Sequence, residues 1–204
     1  MKLAVYGGAF NPIHNGHLAV IHYLANRDDI DCVYVMPSST HPFEKKLQPF
    51  HIRKKLIELV TEPIKAKFHA SIKVVDIENE IAKVDPTFKG YTYQVLKYLK
   101  GKHPGVEISF CMGADNVEDM IAGKWDMDEQ LAAEFGLIVA GRGSLPTANY
   151  ACYSWYDGGA NFLDVSSTRI RKSLENPGTD KQAIFLCPKV IQERVRNLYS
   201  PTKD

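Results

Sequence analysis

Short runs of Val, Ile, Leu, Tyr and Cys alternate along the chain with stretches whose apolar residues recur every three or four positions. The runs at 3–6, 32–36, 72–77, 106–112 and 137–140 are short and rich in apolar residues, and they read as buried strands. Between them, Leu18, Ile21 and Leu24, then Leu56, Ile57, Leu59 and Val60, then Val95, Leu96 and Leu99 each line one side of a helical period. Residues 115–135 carry a longer, broken version of the same period. Strand and helix in alternation predict right-handed β-α-β crossovers. The expected fold is α/β, with a doubly wound, mainly parallel sheet, helices on both faces and a ligand crevice beyond the carboxyl ends of the strands. The later part departs from this rhythm. Residues 169–174 and 189–198 read as two helices separated by Asn176, Pro177 and Gly178, a C-terminal helical extension packed beside the sheet. Residues 141–159, rich in Gly, Tyr and Ser, read as a long loop.

Composition narrows the class. A chain of 204 residues, 45% of them hydrophobic, holds enough apolar side chain for one full-sized core, so 1–204 is expected to form a single domain. Lys and Arg total 25 against 24 Asp and Glu, a net charge of +1, which argues against recruitment of nucleic acid or an anionic membrane by net charge. Cys32, Cys111, Cys152 and Cys187 form no C-x-x-C pair and lie mostly in apolar runs, a usage that suits reduced, buried thiols. No segment approaches the roughly 18 consecutive apolar residues of a membrane span. A cytoplasmic, soluble protein is the expectation.

The most informative segment follows the first strand: Gly7, Gly8, Ala9, Phe10, Asn11, Pro12, Ile13, His14, Asn15, Gly16, His17. Paired glycines let a backbone turn tightly and approach a ligand, with amide N–H groups available to phosphate oxygens. An ordinary strand-to-helix turn would look similar. The histidines change the weighing, because His14 and His17 sit three apart at a helix entrance, where their rings can project to the same side, and Gly16 clears the space between them. His22, His51, His69 and His103, each alone, read as packed or solvent-facing. Zinc sites use three or four ligands and no others are evident nearby, so phosphate chemistry is favoured over metal ligation and no metal ligands are assigned.

These residues carry an H-x-G-H signature, and the segment resembles the nucleotidyltransferase superfamily, the nicotinate or nicotinamide mononucleotide adenylyltransferases in particular. A second stretch agrees: Val165, Ser166, Ser167, Thr168, Arg169, Ile170 and Arg171 are similar to the S-S-T-x-I-R motif of that family, at the start of a late helix. Taken alone it could be a plain helix cap. The resemblance implies that Gly7, Gly8, Ala9, Phe10, Gly16, Ser166 and Ser167 line the ATP site. His14, His17, Thr168 and the guanidinium of Arg169 would donate to the reacting phosphates. Gly90, Tyr91 and Thr92 resemble the family's S-Y-T, which contacts the pyridine ring, with Gly90 in the usual serine position; Thr92 could also be a simple N-cap. Gly113, Ala114 and Asp115, followed by Trp125, are similar to its G-x-D and downstream tryptophan, which implies that Gly113 and Asp115 belong to the ATP-binding set, with the acid holding ribose hydroxyls, and that the indole stacks on the pyridine. Trp125 on its own would read as core. Arg142 matches the arginine of an R-P-G motif whose proline is here Gly143. Residues 37–46 correspond to a run that grips the mononucleotide phosphate, with Lys45 the first candidate and Lys46 and Arg53 behind it.

The resemblance implies a Rossmann-like nucleotidyltransferase whose 165–204 portion supplies a late phosphate-binding motif and C-terminal helices. The implied reaction moves AMP from ATP to nicotinate mononucleotide, giving nicotinate adenine dinucleotide and pyrophosphate in NAD biosynthesis. Magnesium would be carried on ATP. The attacking phosphate oxygen is already ionised, so no general base is required. Nicotinamide mononucleotide or phosphopantetheine are alternative acceptors, and a non-catalytic nucleotide-sensing module is the alternative of a different class.

Overall fold

Among the described residues six strands form one sheet: β1 (Lys2–Gly8), β2 (Cys32–Pro37), β3 (Ser71–Val74), β4 (Glu107–Gly113), β5 (Gly136–Gly141) and β6 (Tyr153–Asp157). Their order is β3-β2-β1-β4-β5-β6 and every neighbouring pair is parallel. The structure, a computed structural model, describes residues 1–39, 47–141, 153–157, 165–176 and 180–200, apart from the side chains of Asp115, Ile121 and 153–157.

Within β1 the side chains alternate between two apolar layers, which is why the run is continuous in sequence. Ala4 and Tyr6 face the layer built with α1 (Asn15–Ala25), α2 (Phe50–Thr61) and two later helices, through Ile21, Leu24, Leu56, Ile57, Ile170 and Val195. Leu3 and Val5 face the other layer, made with α3 (Ile77–Val84), α4 (Thr92–Lys102), α5 (Ala114–Ile121) and α6 (Asp128–Glu134), through Ile81, Leu96, Leu99, Met120 and Leu131. The two later helices are α7 (Ser167–Glu175) and α8 (Gln192–Tyr199), joined through 3-10 turns at Ala183–Leu186 and Lys189–Ile191.

Several expectations are refined. The third run ends as a strand at Val74, and Ile77 instead opens α3. The stretch 115–135 divides into α5 and α6 across a turn in which Gly123 and Met127 take φ of 67° and 55°. The predicted loop 141–159 contains β6, which pairs with β5 from Leu137↔Tyr153 to Gly141↔Asp157. The segment 189–198 begins as a 3-10 turn before α8. Among the described residues no helix is long and apolar enough to cross a membrane.

The topology places the site. The chain steps outward from β1 to β2 and β3, then returns through α3 and α4 to pair β4 with the other side of β1. The order reverses between β1 and β4, so the segments leaving Gly8 and Gly113 diverge and open a crevice at the carboxyl edge of the sheet.

Candidate active site at the switch point

Gly7 and Gly8 are the last residues of β1, and their lack of side chains is used by two aromatic rings. A Cβ on Gly8 would lie 3.3 Å from the Phe10 ring, and one on Gly7 would lie 3.1 Å from the Phe110 ring. Phe10 takes a left-handed backbone (φ 45°), is 1% exposed, and sets its ring edge-on to Tyr6 at 5.4 Å and to His17 at 4.9 Å. Its side chain therefore supports His17 from the core side.

His14 and His17 cap α1 reciprocally. His14 is the N-cap residue in extended conformation; its Nδ1 accepts from the His17 backbone N–H at 3.4 Å, and His17 Nδ1 accepts from the His14 N–H at 3.2 Å. The arrangement is a capping box in which imidazoles replace the usual Ser and Glu. It brings the two rings into a stack, 3.7 Å between centroids and 20° between planes. A neutral imidazole whose Nδ1 accepts a hydrogen bond carries its proton on Nε2, so the cap fixes the tautomer and makes Nε2–H the donor. Burial, and secondly the charge of His14, hold the His17 pKa well below 6.5. His17 is thus a neutral donor near neutrality.

The late motif meets this turn directly. Ser166 caps α7, accepting from the Arg169 N–H at 3.1 Å, and Ser167 Oγ donates to the Pro12 carbonyl at 2.8 Å. Arg171 donates through Nη1 to the Asn11 carbonyl at 2.7 Å and through Nη2 to Thr168 Oγ1 at 3.3 Å. A cavity of about 680 Å³ opens beside these contacts, lined among others by Ala9, Asn11, Gln48, Thr168, Arg171 and Tyr199. Arg169 does not line it; its Nε is bonded to Asp180 Oδ2 at 2.7 Å. The guanidinium that faces the cavity is therefore that of Arg171, which the sequence reading passed over although it closes the S-S-T-x-I-R pattern. Asn11 was also passed over. Its Oδ1 accepts from the Gln48 N–H at 3.1 Å and from the buried Tyr199 hydroxyl.

On the far side of the switch point, Gly113 ends β4 and serves as the N-cap of α5, which puts the backbone of Asp115 in the first turn of that helix. Trp125 is partly buried against Phe110, ring centroids 6.1 Å apart. Tyr91, rather than Thr92, is the N-cap of α4, and Thr92 is its first helical residue. Gly90 has φ 79°, a left-handed conformation that accounts for glycine at this position. Lys45, Lys46 and Arg142 lie outside the described residues. Arg53 is not a phosphate partner as it stands: it is 1% exposed and its guanidinium is spent on backbone carbonyls. His22 follows the packed reading, with its ring 5.0 Å from that of Phe68.

Comparison with known proteins agrees with this geometry. The model of the cytidylyltransferase-like family matches residues 5–173. The chain is similar to the probable nicotinate-nucleotide adenylyltransferase of Flavobacterium johnsoniae, 31% identical over 195 residues that cover 93% of this chain and 94% of that one. It is likewise similar to the probable nicotinate-nucleotide adenylyltransferase of Myxococcus xanthus, 30% identical with 85% and 82% covered. In fold it is similar to Plasmodium falciparum nicotinic acid mononucleotide adenylyltransferase complexed with NaAD, with a TM-score of 0.77 at 24% identity over 97% of both chains.

Proposed function

The chain belongs to the cytidylyltransferase-like family, and on that footing we propose that it transfers AMP from ATP to nicotinate mononucleotide, forming nicotinate adenine dinucleotide and pyrophosphate. The observation that carries the reading is the junction of the two signature segments: Ser167 bonded to Pro12 and Arg171 bonded to Asn11 bring the late helix against the histidine turn. Ala9 and Asn11 of the turn and Thr168 and Arg171 of the late helix line one cavity, which supports the reading.

A phosphate oxygen of the mononucleotide attacks the α-phosphorus of ATP in line. The new P–O bond forms as the bond to the β-phosphate oxygen breaks, and pyrophosphate leaves with that electron pair. No proton has to be removed, so the work left to the protein is positioning and stabilisation of charge on the equatorial and leaving oxygens. We assign that stabilisation to Nε2–H of His14 and His17, to Thr168, and to Arg171. Arg169 joins them only by exchanging Asp180 for phosphate. Gly7, Gly8, Ala9, Gly16, Ser166 and Ser167 shape the ATP site through backbone and cap, with Phe10 as support. Gly113 and Asp115 are assigned to the ATP site, with the acid taking ribose hydroxyls. Tyr91, Thr92 and Trp125 take the pyridine ring, where amides at the start of α4 suit a carboxylate. Lys45 and Arg142 are assigned to the mononucleotide, Lys45 to its phosphate. Magnesium enters as part of the substrate, on the ATP phosphates. The buried, unpaired thiols of Cys32, Cys111 and Cys187 suit a reducing cytoplasm.

The test is pyrophosphate release with ATP and magnesium, comparing nicotinate mononucleotide, nicotinamide mononucleotide and phosphopantetheine as acceptors. Turnover with nicotinate mononucleotide well above the other two is expected. Turnover only with phosphopantetheine overturns the assignment of the α4 and α5 segments, and ATP binding without any turnover points to a sensor.

A further inference from the structure

Arg53 stands in α2 between residues that read as an exposed, basic face, yet its side chain turns into the protein and is 1% exposed. Its three nitrogens each donate to a backbone carbonyl from a different segment. Nη1 reaches Ala9 at 2.7 Å, in the histidine turn; Nη2 reaches Ser38 at 2.6 Å, where the chain leaves β2; Nε reaches Gln48 at 2.8 Å, where the chain enters α2. No carboxylate forms a salt bridge with it among the described residues. A group that merely filled this volume would be apolar, because burying a guanidinium carries a desolvation cost that only well-placed acceptors offset. The rigid fork is used here as a three-way spacer.

The next residue, Ser39, is held by the opposite charge, which also attracts the Arg53 guanidinium. Glu78, in the first turn of α3 and 5% exposed, accepts through Oε2 from the Ser39 N–H at 2.6 Å and from Ser39 Oγ at 2.8 Å. Consecutive residues are thus gripped by a buried cation on a carbonyl and a buried anion on an amide. We propose that Arg53 and Glu78 are positioning residues for adenylyl transfer, which fix the chain leaving β2 at a set distance from the histidine turn and so align acceptor and ATP. Both are buried and neither lines the cavity. The inference rests on the reading above, in which the chain beyond β2 lies on the acceptor side.

Arg53→Lys, Glu78→Gln and the double variant test it, assayed below their own unfolding midpoints. A shift of even an ångström in reacting groups can cost about a hundredfold, so kcat/KM for the acceptor is expected to fall about tenfold or more in Arg53→Lys, with KM for ATP moving less. The double variant is expected to lose less than the product of the singles, because both groups hold one dipeptide. A purely structural role predicts lower midpoints with wild-type KM for the acceptor and multiplicative losses; that result overturns the proposal. Should either variant fail to fold, Ser39→Ala removes one bond to Glu78 and is expected to raise the acceptor KM on its own, an unchanged KM counting against the clamp. If the wild type turns over a different acceptor, the functional reading fails and the same ratios are measured with that acceptor. If it turns over none, hydrogen exchange at the Ser38, Ser39 and Gln48 amides decides: faster exchange in Ser39→Ala and the substituted charges supports the clamp, and unchanged exchange overturns it.

Discussion

His17 takes its chemical state from a helix cap. Because its Nδ1 accepts the His14 N–H, the ring presents Nε2–H, and because burial and His14 disfavour the cation, that ring is neutral at pH 6.5 and above. Two outcomes follow at the scale of this residue. His17→Ala is expected to lower kcat by about a hundred- to a thousandfold, the loss typical of one donor to a transition-state oxyanion, while circular dichroism shows an intact fold. In the wild type, kcat is expected to hold steady as pH rises from 6.5 to 8, and a decline there would mean that the working form is imidazolium. The same shift bears on stability. Below 6.5 the unfolded histidine takes up a proton that the folded one refuses, so the unfolded state binds more protons and stability falls with falling pH, a loss visible as a lower urea midpoint. The two arginines of the late motif separate in a parallel way. Arg171→Ala is expected to raise KM for ATP about ten- to a hundredfold, the worth of a charge-assisted hydrogen bond of ~1.5–3 kcal/mol. Arg169→Ala removes a partly exposed pair with Asp180 and no donor lining the cavity, so it is expected to change KM for ATP less than Arg171→Ala does.

Among elements, legibility in the sequence followed burial. Strands β1, β2, β4 and β5 were readable because both faces are covered and their runs are mostly apolar, whereas the edge strand β3 was readable from Ile72 and Val74 on its alternate positions. β6 was not, since Tyr153, Ser154, Trp155, Tyr156 and Asp157 mix polar and aromatic residues, and among the described residues it is an edge strand paired with β5. α3 was missed because a short helix whose buried residues are Ile77, Ile81 and the charged Glu78 has too few apolar positions to establish a period. In the site, the histidine pair was readable from spacing. Arg53 was not, because an arginine beside Lys54 and Lys55 has the signature of a solvated face, and only the fold shows it pointing inward. Gly90 shows the converse, a departure from a familiar pattern explained by geometry. At φ 79° it opens the turn into α4, where an L-residue is disfavoured by roughly 1–2 kcal/mol. Gly90→Ser, which restores the commoner S-Y-T, is therefore expected to lower unfolding stability by about that amount in urea titration.

Over the whole molecule, the two ends of the chain close on one another at the edge of the sheet. α7 reaches Pro12 and Asn11 through Ser167 and Arg171, and the end of α8 reaches the same turn through the Tyr199 hydroxyl, which donates to Asn11 Oδ1. Gln48 links the entrance of α2 into this set, its side chain donating to the Leu198 carbonyl at 3.0 Å and its backbone to Asn11 Oδ1 at 3.1 Å. Asn11 is thus held on its side chain by α8 and the entrance of α2, and offers its carbonyl to the arginine that faces the cavity. Burial raises the pKa of Tyr199 above its usual value, so the phenol remains a donor across the physiological range. If the C-terminal helix serves only to cover the core, removing that hydroxyl affects stability alone. If it also sets Asn11 for Arg171, binding of ATP changes with it. Tyr199→Phe keeps the buried ring and leaves Asn11 Oδ1 with Gln48 as a partner, so the loss of stability is expected to be only ~0.5–1.5 kcal/mol. KM for ATP is expected to rise several-fold in the same variant while KM for the acceptor holds. An unchanged KM for ATP beside that modest destabilisation would reduce α8 to a packing element.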